Sequence, residues 1–216
     1  MAVVAAGARS VAERMASTAD REALERRLAQ VLTASPLVSE VLALLRTFGS
    51  ESLWLGAGTI CDTVWNAAHG FAPVHGIRDL DIVYFDPDLT VDDDAEMAAQ
   101  VHGLVGRLGL WVDVKNQANV HVWYPAKFGA AITPYTSLDE AVATWPTTCG
   151  AIAVQLADAD LVIKSPFGLV VRPNRVQAPR SWYEQKSARW RTEWPDLSIL
   201  DWEDGVGDVG ARLVQP

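Results

Sequence analysis

Residues 76 to 88, GIRDLDIVYFDPD, place two aspartates, Asp79 and Asp81, at alternate positions of a run that otherwise reads as a buried strand, with Leu80 and then Ile82 to Phe85. Successive side chains of a strand point to opposite faces, so this segment turns Leu80 and Ile82 to a core and sets both carboxylates on the other face. Two like charges that close resist joint ionisation unless a cation lies between them. The segment therefore demands a sheet with one apolar face and one acidic patch. A pair of acids solvated at a loop edge satisfies the same pattern. The alternative is a hard divalent ion such as magnesium, which takes carboxylate oxygens together with water and substrate phosphate.

The flanking segments supply what that sheet needs. SLWLGAG reads as a short buried strand, Leu53 to Leu55, that runs into glycines Gly56 and Gly58, and TICDTVWNAAHG resumes at helical spacing until Gly70. Glycines between a strand and a helix let another backbone approach, and the free N–H groups of the helix start suit phosphate. A helix is expected through AEMAAQVHGLVGRLG, followed by a strand in LWVDVKNQ. There Asp113 and Lys115 alternate with Val112 and Val114, which puts an acid and a cation on one face; an ordinary amphipathic strand would look the same. Upstream, STADREALERRLAQVLTASP and SPLVSEVLALLRTFG carry apolar positions at helical spacing, the second with Ser35 as a cap and Pro36 in the first turn.

From Tyr135 the elements are shorter. SLDEAVATWP reads as a helix with Ser137 at the cap and Glu140 at the capping-box position. GAIAVQL, DLVIKSP and GLVVRPN are candidate strands or extended loops, and RSWYEQKSARWRTEWP closes as a helix mixing aromatic and basic residues. These boundaries divide the chain into N-terminal helices over residues 1–50, a core over 51–135 and an extension of the same domain over 136–216.

Half of the 216 residues are apolar, enough for one sizeable core, and the formal net charge of −9 argues against purely electrostatic binding to nucleic acid or an anionic membrane. The two cysteines, Cys61 and Cys149, form no CxxC pair and read as free thiols in a reducing compartment. No stretch reads as a targeting signal or a bilayer span, so a soluble cytoplasmic protein is expected. His69, His75, His102 and His121 lack metal-ligand spacing. Arg78 and Lys127 lie near the acidic segments, Lys186 and Arg189 share a helical face that reads as solvated, and Asn116, Gln117, Asn119 and His121 could border a site or merely form a loop. The nine tryptophans read mostly as packing residues, with base stacking open to some of them.

Leu55-Gly56-Ala57-Gly58, then Asp79-Leu80-Asp81-Ile82, then Val112-Asp113-Val114 together resemble the polymerase-beta-like nucleotidyltransferase superfamily, and AGTICDTVWN…RDLDIVYFD…VKNQANVHVWY…YTSLDEAVATWP…VRPN is similar to a bacterial family of small nucleotidyltransferase-like proteins. The likeness runs from about Leu53 to Trp194. It implies an α+β domain, a mixed β-sheet of the nucleotidyltransferase fold flanked by helices. It also implies transfer of a nucleoside monophosphate from a nucleoside triphosphate, with Asp79, Asp81 and Asp113 as catalytic residues and ligands of magnesium or manganese. Gly56, Gly58, Thr59 and Lys115 are then the nucleotide-binding set. A catalytically inactive nucleotide-binding protein, or a toxin–antitoxin-type regulator of the same fold, is the alternative. The acceptor is unassigned, and the acidic chain favours a small molecule or a protein over bulk nucleic acid. Ala57 stands between the glycines, and Ile60-Cys61-Asp62 occupies the place where tRNA nucleotidyltransferases carry Val-Arg-Asn or Val-Arg-Asp.

Overall fold

A computed structural model of the chain describes residues 18–48, 52–158, 160–167, 180–199 and 202. The strand candidate GLVVRPN lies outside the described residues, as does the tail beyond Asp201 apart from Trp202. Helix α1 (Thr18–Ala34) and α2 (Pro36–Thr47) turn through 93° at Ser35, whose hydroxyl accepts from the Val38 N–H at 3.4 Å while Pro36 opens the new helix. Strand β1 (Trp54–Gly56) passes directly into α3 (Ala57–His69), which Gly70 ends in the left-handed conformation, φ 67°. Next come β2 (Asp79–Tyr84), α4 (Val91–Val105), β3 (Trp111–Asn116), α5 (Val120–Phe128), α6 (Leu138–Ala143), β4 (Ala153–Ala157), β5 (Asp160–Lys164) and α7 (Arg180–Glu193).

The five strands form one mixed sheet in the order β3-β2-β1-β4-β5, with β2 and β3 parallel and the other neighbours antiparallel. The parallel pair is joined through α4, as a crossover between parallel strands requires. β4 pairs directly with β1, so the extension after residue 135 supplies two strands of the same sheet rather than an appendage.

Alternation sorts the two faces. Leu55, Leu80, Ile82, Tyr84, Val112 and Val154 turn toward α1 to α4 and join Leu32, Val38, Val41, Ile60 and Val105 in the main core. The opposite face carries Trp54, Val83 and Ala153, over which Leu138 and Val142 of α6 pack as a smaller cluster. Each large aliphatic side chain fully buried here contributes roughly 1.5–3 kcal/mol. α6 covers only part of the second face, and Asp79, Asp81, Asp113 and Lys115 belong by alternation to that face.

Helix α5 departs from the sequence expectation, which left NQANVHVWY as a site border or loop. A short 3-10 turn, Gln117–Asn119, leads into it, and Pro125 sits within it before Gly129 (φ 75°) ends it. Glu140 also differs from expectation: its Oε2 accepts from the N–H and hydroxyl of Thr136 at 2.7 and 2.8 Å, one residue earlier than a capping box requires.

α7 packs on α3 through tryptophans. Trp65 meets Trp190 and Trp194 edge-on at 5.6 and 5.0 Å between ring centroids, and the Trp194 indole donates to Asn66 Oδ1 at 2.8 Å. Gly76, at φ 69°, lies under Trp194, where an added Cβ would stand 2.5 Å from the ring. Cys61 and Cys149 are buried free thiols, the Cys61 thiol donating to the Cys149 carbonyl at 3.1 Å. Among the described residues no single helix is long and apolar enough to cross a membrane.

Candidate active site

The register of the central strands assembles the acids. Asp81 stands beside Asp113 across the parallel β2–β3 pair and beside Gly56 across the antiparallel β1–β2 pair. Both carboxylates line a cavity of about 260 Å3 that continues past Ala57, Val83, Lys115 and Gln117 to the aromatic residues of α5 and to Trp145 and Trp182. Asp79, two residues before Asp81, is exposed at the start of β2 and lies outside the cavity lining. Its charge nevertheless reaches Asp81: burial pushes the Asp81 carboxyl up to about 7, with Asp79 and then Asp113 adding to the rise. The Gly58 N–H, 3.4 Å from Asp81 Oδ2, and the Lys186 ammonium pull the other way.

The glycine turn divides its work differently from the sequence expectation. Gly56 is an extended strand residue paired on both sides, and a Cβ there would meet the Trp145 ring at 2.8 Å. Its lack of a side chain serves the close approach of that indole. The left-handed residue is Ala57, φ 49°, at a cost of about 1–2 kcal/mol for a residue with a Cβ. Its N–H is taken by the Ile152 carbonyl at 2.9 Å, which holds the strained turn in place. Gly58 carries the N–H aimed at Asp81, so the carboxylate sits at the helix start, where an anion is favoured. The Thr59 hydroxyl, buried, donates to the Asp79 carbonyl at 2.8 Å and ties α3 to the first residue of β2.

Lys115 pairs with Asp113 on its own strand, and its ammonium lies 5.6 Å from the Trp123 ring centroid. Of the other cations, Lys127 also sits over the Trp123 ring, at 5.5 Å, and Arg78 pairs with Glu193 at 2.7 Å. The basic face of α7 is not simply solvated. Arg189 donates to the Gly76 carbonyl and to Glu193, both at 2.8 Å, and lies 3.8 Å from Asp62. Asp62, buried in α3, is pushed up to about 8 by burial, which Arg189 only partly offsets. Burial disfavours ionised Glu193 too, but Arg189 and Arg78 outweigh it and hold that acid below its usual range.

Asn116 and Asn119 do not face the cavity. Their side-chain amides donate to opposite oxygens of Asp94, at 2.9 and 2.8 Å, and Tyr84 O–H donates to the first of these oxygens at 2.7 Å. The knot pins β2, β3 and the 3-10 turn to α4. His121 is engaged with the Ala118 carbonyl at 2.9 Å. Gln117 does reach the cavity, as do Trp123, Tyr124, Trp145 and Trp182. The aromatic lining carried no periodic signal in the sequence because its members come from α5, from Tyr135 and Trp145 on either side of α6, and from α7.

The family described as Nucleotidyltransferase matches residues 44–199, most of the chain and all of the site above. The chain belongs to this nucleotidyltransferase family. Among solved structures, this nucleotidyltransferase is similar to a protein whose NMR structure is described as revealing a CCA-adding enzyme head domain. The TM-score is 0.64 and the identity 23%, over 82% of this chain and 95% of that one. That likeness shows the shared fold. A tRNA-processing enzyme in an apo form matches at 16% identity and a TM-score of 0.34, over 71% of this chain and 41% of that one. No curated protein matches the chain. Family and fold together make nucleotidyl transfer the class of chemistry, carried by a mixed α+β sheet.

Proposed function

We propose that the chain transfers a nucleoside monophosphate from a nucleoside triphosphate to an acceptor hydroxyl or phosphate. An acceptor oxygen attacks the α-phosphorus, the bond to the β-phosphate breaks, and pyrophosphate leaves. The observation that carries this reading is the pairing of Asp81 with Asp113 in register, both lining one cavity at the start of α3.

The donor set fits a divalent cation. Two carboxylates raise the charge cost at Asp81, and hard oxygen donors suit magnesium or manganese. Among the described residues no group of three or more His, Cys, Asp or Glu side chains is arranged to hold a metal by itself. That is compatible with an ion held by Asp79 and Asp81, with Asp113 as the further carboxylate, and completed by water and substrate phosphate. Bound there, such an ion would polarise a phosphoryl oxygen and offset the charge of the leaving pyrophosphate.

The chain's own groups have distinct tasks in this reading. The N-terminal end of α3 lends the positive end of its dipole to phosphate, while its Ala57 and Gly58 N–H groups hold the Ile152 carbonyl and Asp81. Thr59 keeps β2 in place beneath them through the Asp79 carbonyl. Lys115 supplies positive charge to phosphate when it leaves Asp113, and the freed Asp113 accepts the proton of the incoming hydroxyl. The net charge of −9 favours a small-molecule or protein acceptor.

The Asp113–Lys115 pair also suits a second reading, a nucleotide binder without turnover, because it occupies the base. One assay separates the two: pyrophosphate release measured with magnesium or manganese and each nucleoside triphosphate, with mass spectrometry of an acceptor panel for added nucleotide mass. Release lost in Asp81→Asn supports the transferase. Nucleotide binding without release, unchanged in Asp81→Ala, supports the binder.

A further inference from the structure

We propose that the cavity beyond the carboxylates is a subsite for one nucleobase, stacked against aromatic side chains and read by the side-chain amide of Gln117. That the ring belongs to a nucleotide rests on the transfer reading above; that the cavity takes a hydrogen-bonded aromatic ring rests on the following geometry.

Gln117 is only 5% exposed, and its Oε1 accepts from the Trp145 indole N–H at 3.2 Å. An indole N–H can only donate, so the amide oxygen is committed to Trp145 and the amide nitrogen is turned away from it. Among the described residues Gln117 Nε2 forms no hydrogen bond. A buried donor without an acceptor is costly, and the cavity that Gln117 lines is where a ligand's acceptor would satisfy it.

The orientation of that amide is itself built in. Trp145 packs directly over Gly56, where any Cβ would stand 2.8 Å from the ring, and the asparagine knot on Asp94 fixes the turn that presents Gln117. Trp123, Tyr124 and Trp182 give the walls aromatic faces, and every base offers a π-face to such walls. The volume, about 260 Å3, lies below the roughly 300–1,000 Å3 of common small-molecule sites, so it suits one ring system and not a whole nucleotide with its acceptor. Lys115 stands between the two regions, paired with Asp113 and 5.6 Å from the Trp123 centroid, which makes the ring site continuous with the charged end where phosphates belong.

Isothermal titration of the full chain with the four ribonucleosides, and separately with tripolyphosphate and magnesium, tests this. The variants are Gln117→Glu, which keeps an oxygen for Trp145 but replaces the donor, and the neutral Gln117→Met, each checked by thermal melting. The expected result is that at least one nucleoside binds without any phosphate and binds about ten-fold or more weakly to both variants, while tripolyphosphate binds Gln117→Met as it binds the parent. Competition with an α,β-methylene triphosphate then assigns the base. Mutual exclusion places it in the donor, and joint binding places it in a nucleotide acceptor. Tripolyphosphate binding with no nucleoside binding, or nucleoside binding indifferent to Gln117, overturns the subsite and leaves the transfer reading standing. Failure of both ligands to bind overturns both.

Discussion

At the scale of single residues, the site is marked by groups held against their own preference. Asp81 is an acid placed where burial and two neighbouring acids oppose its ionisation, and Ala57 is a left-handed residue that has a Cβ. Asp81→Asn is expected to cut turnover by at least about 10²–10³-fold with no loss of melting temperature, because the amide removes repulsion and leaves the shape. Gly58 offers a cleaner separation of fold from function. A Cβ there stands 3.7 Å from Asp81 Oδ2, ordinary contact, so Gly58→Ala should melt no lower than the parent. Nucleotide affinity should nevertheless fall, because the methyl group enters the space between Asp81 and the helix start.

Asp62 and Asp81, both raised by burial, contribute pH dependence of the same sign, and Asp62 is the one outside the cavity. Its folded value of about 8 lies above the ordinary unfolded value of about 3.9, so the unfolded chain releases the proton first as pH rises. The contribution of Asp62 to stability is therefore fullest in acid and erodes between about pH 4 and pH 8. Asp62→Asn should lessen the loss of stability with rising pH, matching the parent near pH 4.5 and exceeding it by about 1–3 kcal/mol at pH 8.5, read from urea melts at the two pH values. An Asp62→Asn variant with the parent's full pH dependence would remove Asp62 as a contributor.

At the scale of elements, the sheet strands declare themselves because each alternates. β2 and β3 are read directly from Leu80, Ile82 and Val112, Val114, and the same alternation puts Asp81, Asp113 and Lys115 on one face. α2 is equally plain from Ser35-Pro36 and its leucines. α5 was hidden by its composition: Val120, Val122, Trp123 and Tyr124 favour strands, and Pro125 argues against a helix interior. What holds it is the preceding turn, fixed by Asn116 and Asn119 on Asp94, a tertiary contact across 22 to 25 residues that no local pattern records. The roles of Gly56 and Arg189 were hidden for the same reason, since Trp145, Asp62 and Gly76 are far away in sequence. The knot predicts its own test. Asp94→Ala strips an acceptor from Tyr84, Asn116 and Asn119 at once and should cost about 2–4 kcal/mol in urea melts. Asp94→Asn, which keeps one oxygen, should cost less.

At the scale of the whole molecule, the fold is one sheet with two unlike faces. The inner face is packed by α1 to α4, while the outer face is closed by α6 at one end and left open above the acids. α7 joins the helical side to the site: Trp190 and Trp194 anchor it on α3, and Trp182 reaches the cavity. Family membership fixes the class of chemistry, and the cavity with its acids and its lysine narrows where that chemistry takes place. The claim on which the rest depends is that acids from neighbouring strands bind a cation and a triphosphate as one unit. Manganese binding followed by electron paramagnetic resonance, with and without a nucleoside triphosphate, addresses it directly. The triphosphate is expected to tighten manganese binding to the parent, and Asp81→Asn and Asp113→Asn are each expected to abolish the tightening. Tightening that survives in both variants would contradict the claim.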